Sequence, residues 1–225
     1  MVLSFFRRGE SPLDHIEQEI GAMLGDCRHS FDRAMTALIT DADIGPIGDE
    51  VRATDRRINQ TEETVRRELV VHVSVHGGAD VGLVLTSLLI VKKLERVGDQ
   101  AKNIFDLAAE GVRFSGADDY DQFIDLHNEV SSMMGEAATI LAAADQPAAD
   151  ALIERCEARM RDLDGRVNEL IHSDYPAHHA VPRAMLFRYI KRIVANVAGV
   201  VGTLVRPLDR SNLDRGNLDR TDLDE

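Results

Sequence analysis

The sequence predicts an all-α protein: two tandem three-helix repeats that form an elongated six-helix bundle, followed by a disordered C-terminal tail. Six long segments carry apolar residues at a spacing near 3.6, the period of an amphipathic helix. Short links divide these segments into two sets of three, an arrangement typical of helical bundles. Aromatic residues make up 4% of the chain and Trp is absent. The core is therefore expected to be aliphatic, which favours helix packing over a β-sandwich.

The first three segments occupy the N-terminal half of the chain. The pair Ser11-Pro12 is a helix start signal for the first, and Asp80 is the predicted N-cap of the third. Residues 70–75, at the end of the second, are rich in Val and have a strand-like composition. No partner strand is visible elsewhere, so we predict helix there. The three predicted helices are residues 14–39, 47–75 and 80–110.

The last three segments are separated by Pro-containing links. Pro182 suits the first turn of the sixth helix, and Pro176–His179 is predicted to be a loop before it. The predicted helices are residues 119–144, 148–172 and 182–204. The tail repeats Leu-Asp every five residues from Leu208 to Leu223, too few units to bury the core of a β-solenoid. We therefore predict repeats at 13–114 and 119–206, and a charged disordered tail at 207–225.

Charge and composition restrict the partners and the compartment. With 26 Lys and Arg against 39 Asp and Glu, the net charge is −13. This acidic balance argues against nucleic-acid binding and disfavours electrostatic docking to anionic lipid. The longest apolar run, Val81–Val91, is too short for a membrane span, and the N-terminus does not match a signal peptide. Cys27 and Cys156 are far apart in sequence, which favours a reducing compartment. We expect a cytoplasmic protein with no nucleic-acid partner and no direct membrane insertion.

Two carboxylates on the third helix are the first candidate site. Glu95 and Asp99 are four residues apart and share one helix face, where like charges repel each other. A bound cation would reverse that repulsion, and carboxylate oxygens suit Mg²⁺, Mn²⁺, Ca²⁺ or iron. The alternative is a solvated polar face with Lys102 and Arg96 as local partners. The spacing alone favours this alternative.

A second polar stripe lies on the second helix. Asp55, Asn59, Glu62 and Arg66 follow one another at intervals of four, three and four residues, which places them on one face. Across an antiparallel packing they could meet the stripe of Glu95 and hold a metal with it. The alternative is an interhelical salt-bridge network that uses Arg66 or Arg57.

These motifs resemble those of the PhoU family. The string LERVGDQAKNI, from Leu94 to Ile104, resembles the E/D-x-x-x-D signature of that family. The stretch from Asp55 to Glu62 is similar to the pattern of its second helix, and Asp80 lies where its third helix begins. The resemblance covers about residues 13–206, including the tandem organisation.

The resemblance implies a function and a set of site residues. PhoU-like proteins are non-enzymatic cytoplasmic regulators of phosphate uptake and phosphate-starvation signalling, and a homodimer is possible. Their implied partners are a membrane phosphate transporter and a sensor histidine kinase. Acidic motifs in the family bind metal, often iron. Carried over by position, the implied ligands of a divalent or iron metal ion are Glu95, Asp99, Asp55, Asn59 and Glu62.

The second repeat departs from the family pattern. Lys191 replaces the first carboxylate of its motif, and Ala195 replaces the second. The fifth helix keeps Glu157 and Asp164, with Arg161 between them. We expect the two cations to pair with these carboxylates, so that this repeat needs no metal.

Two other functions remain open. The first is an accessory interaction module of a sodium/phosphate or other ion transporter, with no kinase role. The second is a four-helix di-iron oxidase, which needs Glu-x-x-His on two helices. The chain offers that motif from Glu169 to His172 and only an Asp-containing variant from Asp26 to His29.

Overall fold

Six long helices make up the fold, which we describe from a computed structural model. The structure describes residues 12–205, with the backbone alone at positions 12, 14, 78 and 79. The helices are α1 (Pro12–Ile39), α2 (Ile44–His76), α3 (Val81–Ala109), α4 (Tyr120–Ala143), α5 (Gln146–Ile171) and α6 (Ala177–Val205). The prediction of an all-α six-helix bundle is confirmed. The predicted tail lies outside the described residues, and the repeat boundaries stay a prediction.

The turn between α2 and α3 is tight. Residues 70–75 are helical as predicted, and α2 ends at Gly77, whose φ of 70° is a conformation that favours glycine. A 3₁₀ turn, Gly77–Asp80, leads into α3. Asp80 occupies the N-cap position of α3, but its side chain makes no capping hydrogen bond. Its carboxylate instead lies 3.0 Å from Nε2 of the buried His72, so this residue ties the two helices together.

The predicted start of α6 was wrong. We expected a loop at Pro176–His179 and a helix from Pro182, but α6 begins at Ala177 and contains Pro182 within it. The amides of His179 and Ala180 both donate to the Pro176 carbonyl, at 2.9 and 3.1 Å. Helical hydrogen bonding therefore starts one turn earlier. Near a helix start Pro costs little, because its fixed φ is already helical and few donors are lost.

One continuous aliphatic core joins all six helices, and α3 lies at its centre against α1, α2 and α6. The buried thiol of Cys27 on α1 donates to the Leu94 carbonyl of α3 at 3.2 Å. Gly98 of α3 lies against Ile58 of α2, where an added Cβ would be 2.9 Å from the Ile58 Cδ1 atom. This close approach brings the polar stripes of α2 and α3 together.

The two halves meet around a buried guanidinium at one end of the bundle. Arg183, near the start of α6, donates two 2.8 Å hydrogen bonds to Asp119 and lies over the rings of Phe114 and Phe123. Because Phe114 directly follows α3, the start of α6 lies beside the end of α3. The two helices are therefore antiparallel, and Gly199 of α6 packs against Lys93 of α3. It follows that the α2–α3 turn and the α5–α6 turn lie at opposite ends of the molecule.

Among residues 12–205, none of the helices has the combination of length and apolar character needed to cross a bilayer.

Candidate functional site

A lysine from α3 occupies the centre of the predicted acidic site. Lys102 Nζ donates to both carboxylate oxygens of Asp55 on α2, each at 3.1 Å. The same ammonium lies 3.6 Å from Oδ1 of Asp99. Lys102 therefore joins the two predicted metal-binding stripes by an ion pair across the helix interface.

Negative charge at this face exceeds what Lys102 neutralises. Burial raises the pKa of Asp99 above its ordinary value, and the carboxylates of Glu95 and Asp55 raise it further. The nearby Lys102 ammonium opposes that rise. The direction of the shift shows that ionised Asp99 is less favourable here than in water.

Glu95 lies in the same region but is poorly satisfied. Lys92 Nζ, one turn earlier on α3, is 3.0 Å from Glu95 Oε2. Its direction of approach does not make a hydrogen bond, so this buried oxygen has none among the described residues. A buried carboxylate oxygen without a hydrogen bond adds to the unfavourable charge of this face.

The other two predicted ligands lie further along α2. Glu62 is buried and accepts a 3.1 Å hydrogen bond from Arg66, one turn later on the same helix. Asn59 is half-buried between Asp55 and Glu62. Arg57 does not join this network, because it binds Asp26 of α1 at 2.7 Å. The carboxylates of this stripe therefore pair with different cations, Asp55 with Lys102 and Glu62 with Arg66.

The metal site predicted from these five residues stays a prediction. Their carboxylate and amide oxygens suit a hard cation, and the structure brings Asp55, Glu95 and Asp99 to one face. Within residues 12–205, however, no three His, Cys, Asp or Glu side chains converge as a metal site. Lys102 holds the position between Asp55 and Asp99. The side chains form the interhelical ion-pair network that the sequence analysis left open.

The corresponding face of the second half contains the predicted pairs. Lys191 Nζ of α6 donates to both oxygens of Asp164 on α5, at 2.6 and 2.5 Å. Arg161 lies 4.0 Å from Glu157 on the exposed side of α5. Each half thus has one lysine that ties its second and third helices together.

Sequence reasoning missed a polar cluster between α1 and α4. His127 Nε2 lies 2.9 Å from Asp32 Oδ1, and Arg28 Nε donates to Ser131 Oγ at 3.0 Å. Burial alone would raise the pKa of Asp32, but hydrogen bonds from His127 and Ser131 hold it below its ordinary value. The partners are about a hundred positions apart, so no local spacing could have indicated the cluster.

Comparison with known proteins shows which family this sequence is similar to. The family model described as the PhoU domain matches residues 20–108, which include all five predicted site residues. Over these residues the chain is similar to the PhoU domain. The accessory regulators of this family are not enzymes, in agreement with the prediction for this chain.

Two relatives extend the PhoU match to most of the chain. The phosphate-specific transport system accessory protein PhoU homolog of Pseudomonas aeruginosa is 27% identical over 224 residues, which cover 89% of this chain and 90% of that protein. The protein of the same description from Pseudomonas putida is 26% identical over 210 residues, covering 88% and 80% of the two chains.

A solved structure shows the same fold. The crystal structure of PhoU from Pseudomonas aeruginosa superposes with a TM-score of 0.75 at 24% identity, covering 87% of this chain and 97% of that one. The six-helix arrangement is thus the PhoU fold, including the second half that the family model leaves unmatched.

Proposed function

We propose that this protein is a PhoU-like cytoplasmic accessory regulator of phosphate uptake and phosphate-starvation signalling. In this proposal it docks to a membrane phosphate transporter, a sensor histidine kinase, or both. The observation that carries the proposal is the similarity to two phosphate-specific transport system accessory proteins over most of this chain and of theirs. Such coverage supports a shared overall role rather than one borrowed motif.

The docking surface proposed for the first repeat is the acidic face of α2 and α3. Asp55, Glu95 and Asp99 supply its negative charge, and Lys102 ties the two helices so that the face keeps one shape. A half-buried acidic face on rigid helices suits a basic partner, because complementary charge steers association.

The same face is also our proposed metal site, with Lys102 as the competing cation. The ligands would be Asp55, Asn59, Glu62, Glu95 and Asp99, and a divalent or iron metal ion there would add positive charge between α2 and α3. The raised pKa of Asp99, to which the Glu95 and Asp55 carboxylates contribute, supports a demand for further positive charge. Binding would require the Lys102 ammonium to leave Asp55.

Alkaline phosphatase output in a deletion strain tests the regulatory role. In ample phosphate we expect constitutive starvation output, which the wild-type gene represses again. A copy carrying Asp55→Asn and Asp99→Asn should fail to restore repression. The matched control, Asp164→Asn on the corresponding face of the second half, should restore it. Circular dichroism of both purified variants checks that they fold.

Normal phosphatase output in the deletion strain would contradict the kinase-linked role. The second candidate, an accessory module of a sodium/phosphate or other ion transporter, is supported by the lysine–aspartate pair that already ties the helices of each half together. It predicts changed phosphate or ion uptake with unchanged phosphatase output. Measuring both quantities in the same strain separates the two functions.

A further inference from the structure

The α6 helix carries only positive charge, although the chain as a whole is strongly acidic. Its 29 residues contain no Asp or Glu, whereas the net charge of the chain is −13. Arg183 and Lys191 are each bound to an aspartate. Arg188 and Arg192 are exposed, and over residues 12–205 neither has an acidic partner within 4 Å. The function proposed above uses neither of these two charges.

Lys93 of α3 adds a third cation to the same surface. Its side chain lies across Gly199 of α6, where an added Cβ would be 2.8 Å from Lys93 Cε and closer still to Nζ. Gly199 is seven residues after Arg192, about two helical turns, so both lie on one face of α6. The Lys93 ammonium therefore reaches over the face that carries the unpaired arginines.

The charge of Lys93 has no compensating carboxylate. Burial and the neighbouring Arg96 guanidinium lower the pKa of Lys93 below its ordinary value, and no carboxylate of residues 12–205 opposes this shift. For Lys102, by contrast, the effect of burial is outweighed by the carboxylates of Asp55 and Asp99, which raise its pKa. An anion placed beside Lys93 would therefore relieve an unfavourable interaction between like charges.

These cations form a row along the α3–α6 interface. Because α3 and α6 are antiparallel, the steps from Lys93 to Arg96 and from Gly199 to Arg192 run in the same direction. At 1.5 Å of rise per residue, Arg96 lies about 5 Å, and Arg192 about 10 Å, along the axis from Lys93. Arg188 lies further along, at about 16 Å. We call Lys93, Arg96 and Arg192 the cation triad, since their extended side chains can meet at one small anion.

We propose that the cation triad binds a small phosphate dianion, either inorganic phosphate or the terminal group of a phosphomonoester. Guanidinium groups match phosphate oxygens with paired N–H donors, and an ammonium adds a compact positive charge. Both forms of phosphate are mainly dianionic at about pH 7.5. Three cations suit a dianion better than a monocarboxylate, which would leave two of the positive charges uncompensated.

The surroundings of the cation triad favour a small anion over a nucleic acid or an acidic protein. Carboxylates border the triad on both sides, Glu157 and Asp164 on α5, and Glu95 and Asp99 on the α2 side of α3. Each lies no more than 4.0 Å from a basic residue outside the triad. A long polyanion would pass over these carboxylates and be repelled, whereas a phosphate group needs only the space between the three cations.

Amide signals of the ¹⁵N-labelled full-length protein test the site. Sodium phosphate should shift the Gly199 signal along a saturable curve, and sodium chloride of equal ionic strength should not. Arg96→Gln with Arg192→Gln should weaken binding at least about tenfold. The matched control is Arg56→Gln with Arg67→Gln on α2, which removes the same charge from exposed arginines that also have no acidic partner among residues 12–205. This control should bind phosphate like wild type, and both variants should keep the wild-type circular dichroism spectrum.

Gly199→Ala tests the geometry without a change of charge. The new methyl would displace Lys93 Nζ, so phosphate binding should weaken about threefold, because Coulomb attraction falls with distance. The melting temperature should stay equal or rise, since Ala favours a helix more than Gly does. The matched control, Gly202→Ala, places a methyl 3.9 Å from Ile153 and should bind phosphate like wild type.

Separate titrations with inorganic phosphate and with glycerol phosphate distinguish the two sources of the dianion. Saturation at the lower concentration identifies the form that the cation triad takes. Because the assay contains only protein and anion, its failure is distinct from failure of the phosphate-regulation test in cells.

Three results would overturn the proposal. The first is the lack of a saturable shift with either form of phosphate. The second is equal weakening in the α3–α6 arginine variant and its α2 control, which would show that only the overall charge matters. The third is tighter binding of polyglutamate than of both phosphates, which would assign this surface to an acidic protein.

Discussion

The two helical hairpins, α2–α3 and α5–α6, are each tied together by a lysine–aspartate pair, but the charges beside that pair differ. In each, a lysine of the third helix of its half binds an aspartate of the second: Lys102 to Asp55, and Lys191 to Asp164. In the first hairpin Asp99 also lies beside the lysine, and Glu95 lies close to Asp99, whereas in the second Ala195 stands where the family pattern has a carboxylate. The lysine of the first hairpin therefore has two carboxylate partners, whereas the lysine of the second has one. A pairing retained in both hairpins indicates a structural role, and the second partner in only one indicates where function is to be sought.

The largest expected difference concerns how closely the helices of each hairpin approach. Gly98→Ala should destabilise the protein by about 1–2 kcal/mol, because the new methyl meets the stiff, buried Ile58 side chain. The matched change in the second hairpin, Gly202→Ala, places a methyl 3.9 Å from Ile153, an ordinary contact. It should be neutral or stabilising by up to about 1 kcal/mol through helix propensity. Urea unfolding followed by circular dichroism measures both, and equal effects would contradict the difference in packing.

Removing each lysine is the next test. Lys102→Met should cost about 1 kcal/mol, since it leaves Asp55 and Asp99 without their shared cation, while Lys191→Met should cost less, because Asp164 is largely exposed. The same urea series gives both values.

Metal binding should separate these lysine variants further. After incubation with Mn²⁺ and desalting, mass spectrometry of the metal should show more Mn²⁺ per chain in Lys102→Met than in wild type. Lys191→Met should show no gain, because its hairpin lacks the second carboxylate. No gain in Lys102→Met would contradict the proposed competition and leave the face as an ion-pair network.

The smallest expected effect is on the melting temperature of Asp99→Asn, which should rise rather than fall. Burial and neighbouring carboxylates raise the pKa of Asp99 in the folded protein above its usual 3.8, so folding favours the protonated form. The stability associated with Asp99 is therefore greatest at low pH and is lost as pH rises from the unfolded value through the folded one. Without added metal, Asp99→Asn should melt slightly above wild type at pH 7, and the difference should vanish near pH 3. Asp164→Asn should instead melt slightly lower at pH 7, since it loses the bond to Lys191.

A bound metal would reverse the expected change in the melting temperature of Asp99→Asn. If wild-type protein carries a metal at this face, the substitution removes a ligand and lowers the melting temperature and the metal content together, because a ligand bound to the native state stabilises it. Melting curves with and without a chelator therefore distinguish the two states of the face. Identical curves for wild type and Asp99→Asn under both conditions would contradict both accounts.

Much of the fold followed from local patterns. The 3.6-residue period located all six helices, because an amphipathic stripe is a property of neighbouring residues along the chain. Residues 70–75 are helical despite their strand-like composition, as predicted from the lack of a visible partner strand in the sequence. The error at α6 had a local origin as well. Pro182 has the sequence features of a helix start, but the Pro176 carbonyl begins the helical hydrogen bonding one turn earlier.

The sequence by itself determined the helices, the acidic stripes and the PhoU resemblance, since each depends on residues within a few turns of one another. Only the tertiary structure decided that Lys102, 47 positions from Asp55, stands between the two stripes. It also decided that His127 meets Asp32, 95 positions away in the sequence. These features arise where helices distant in sequence are brought together by a shared core. The partners of a charge are set by that packing, which spacing along a single helix does not contain.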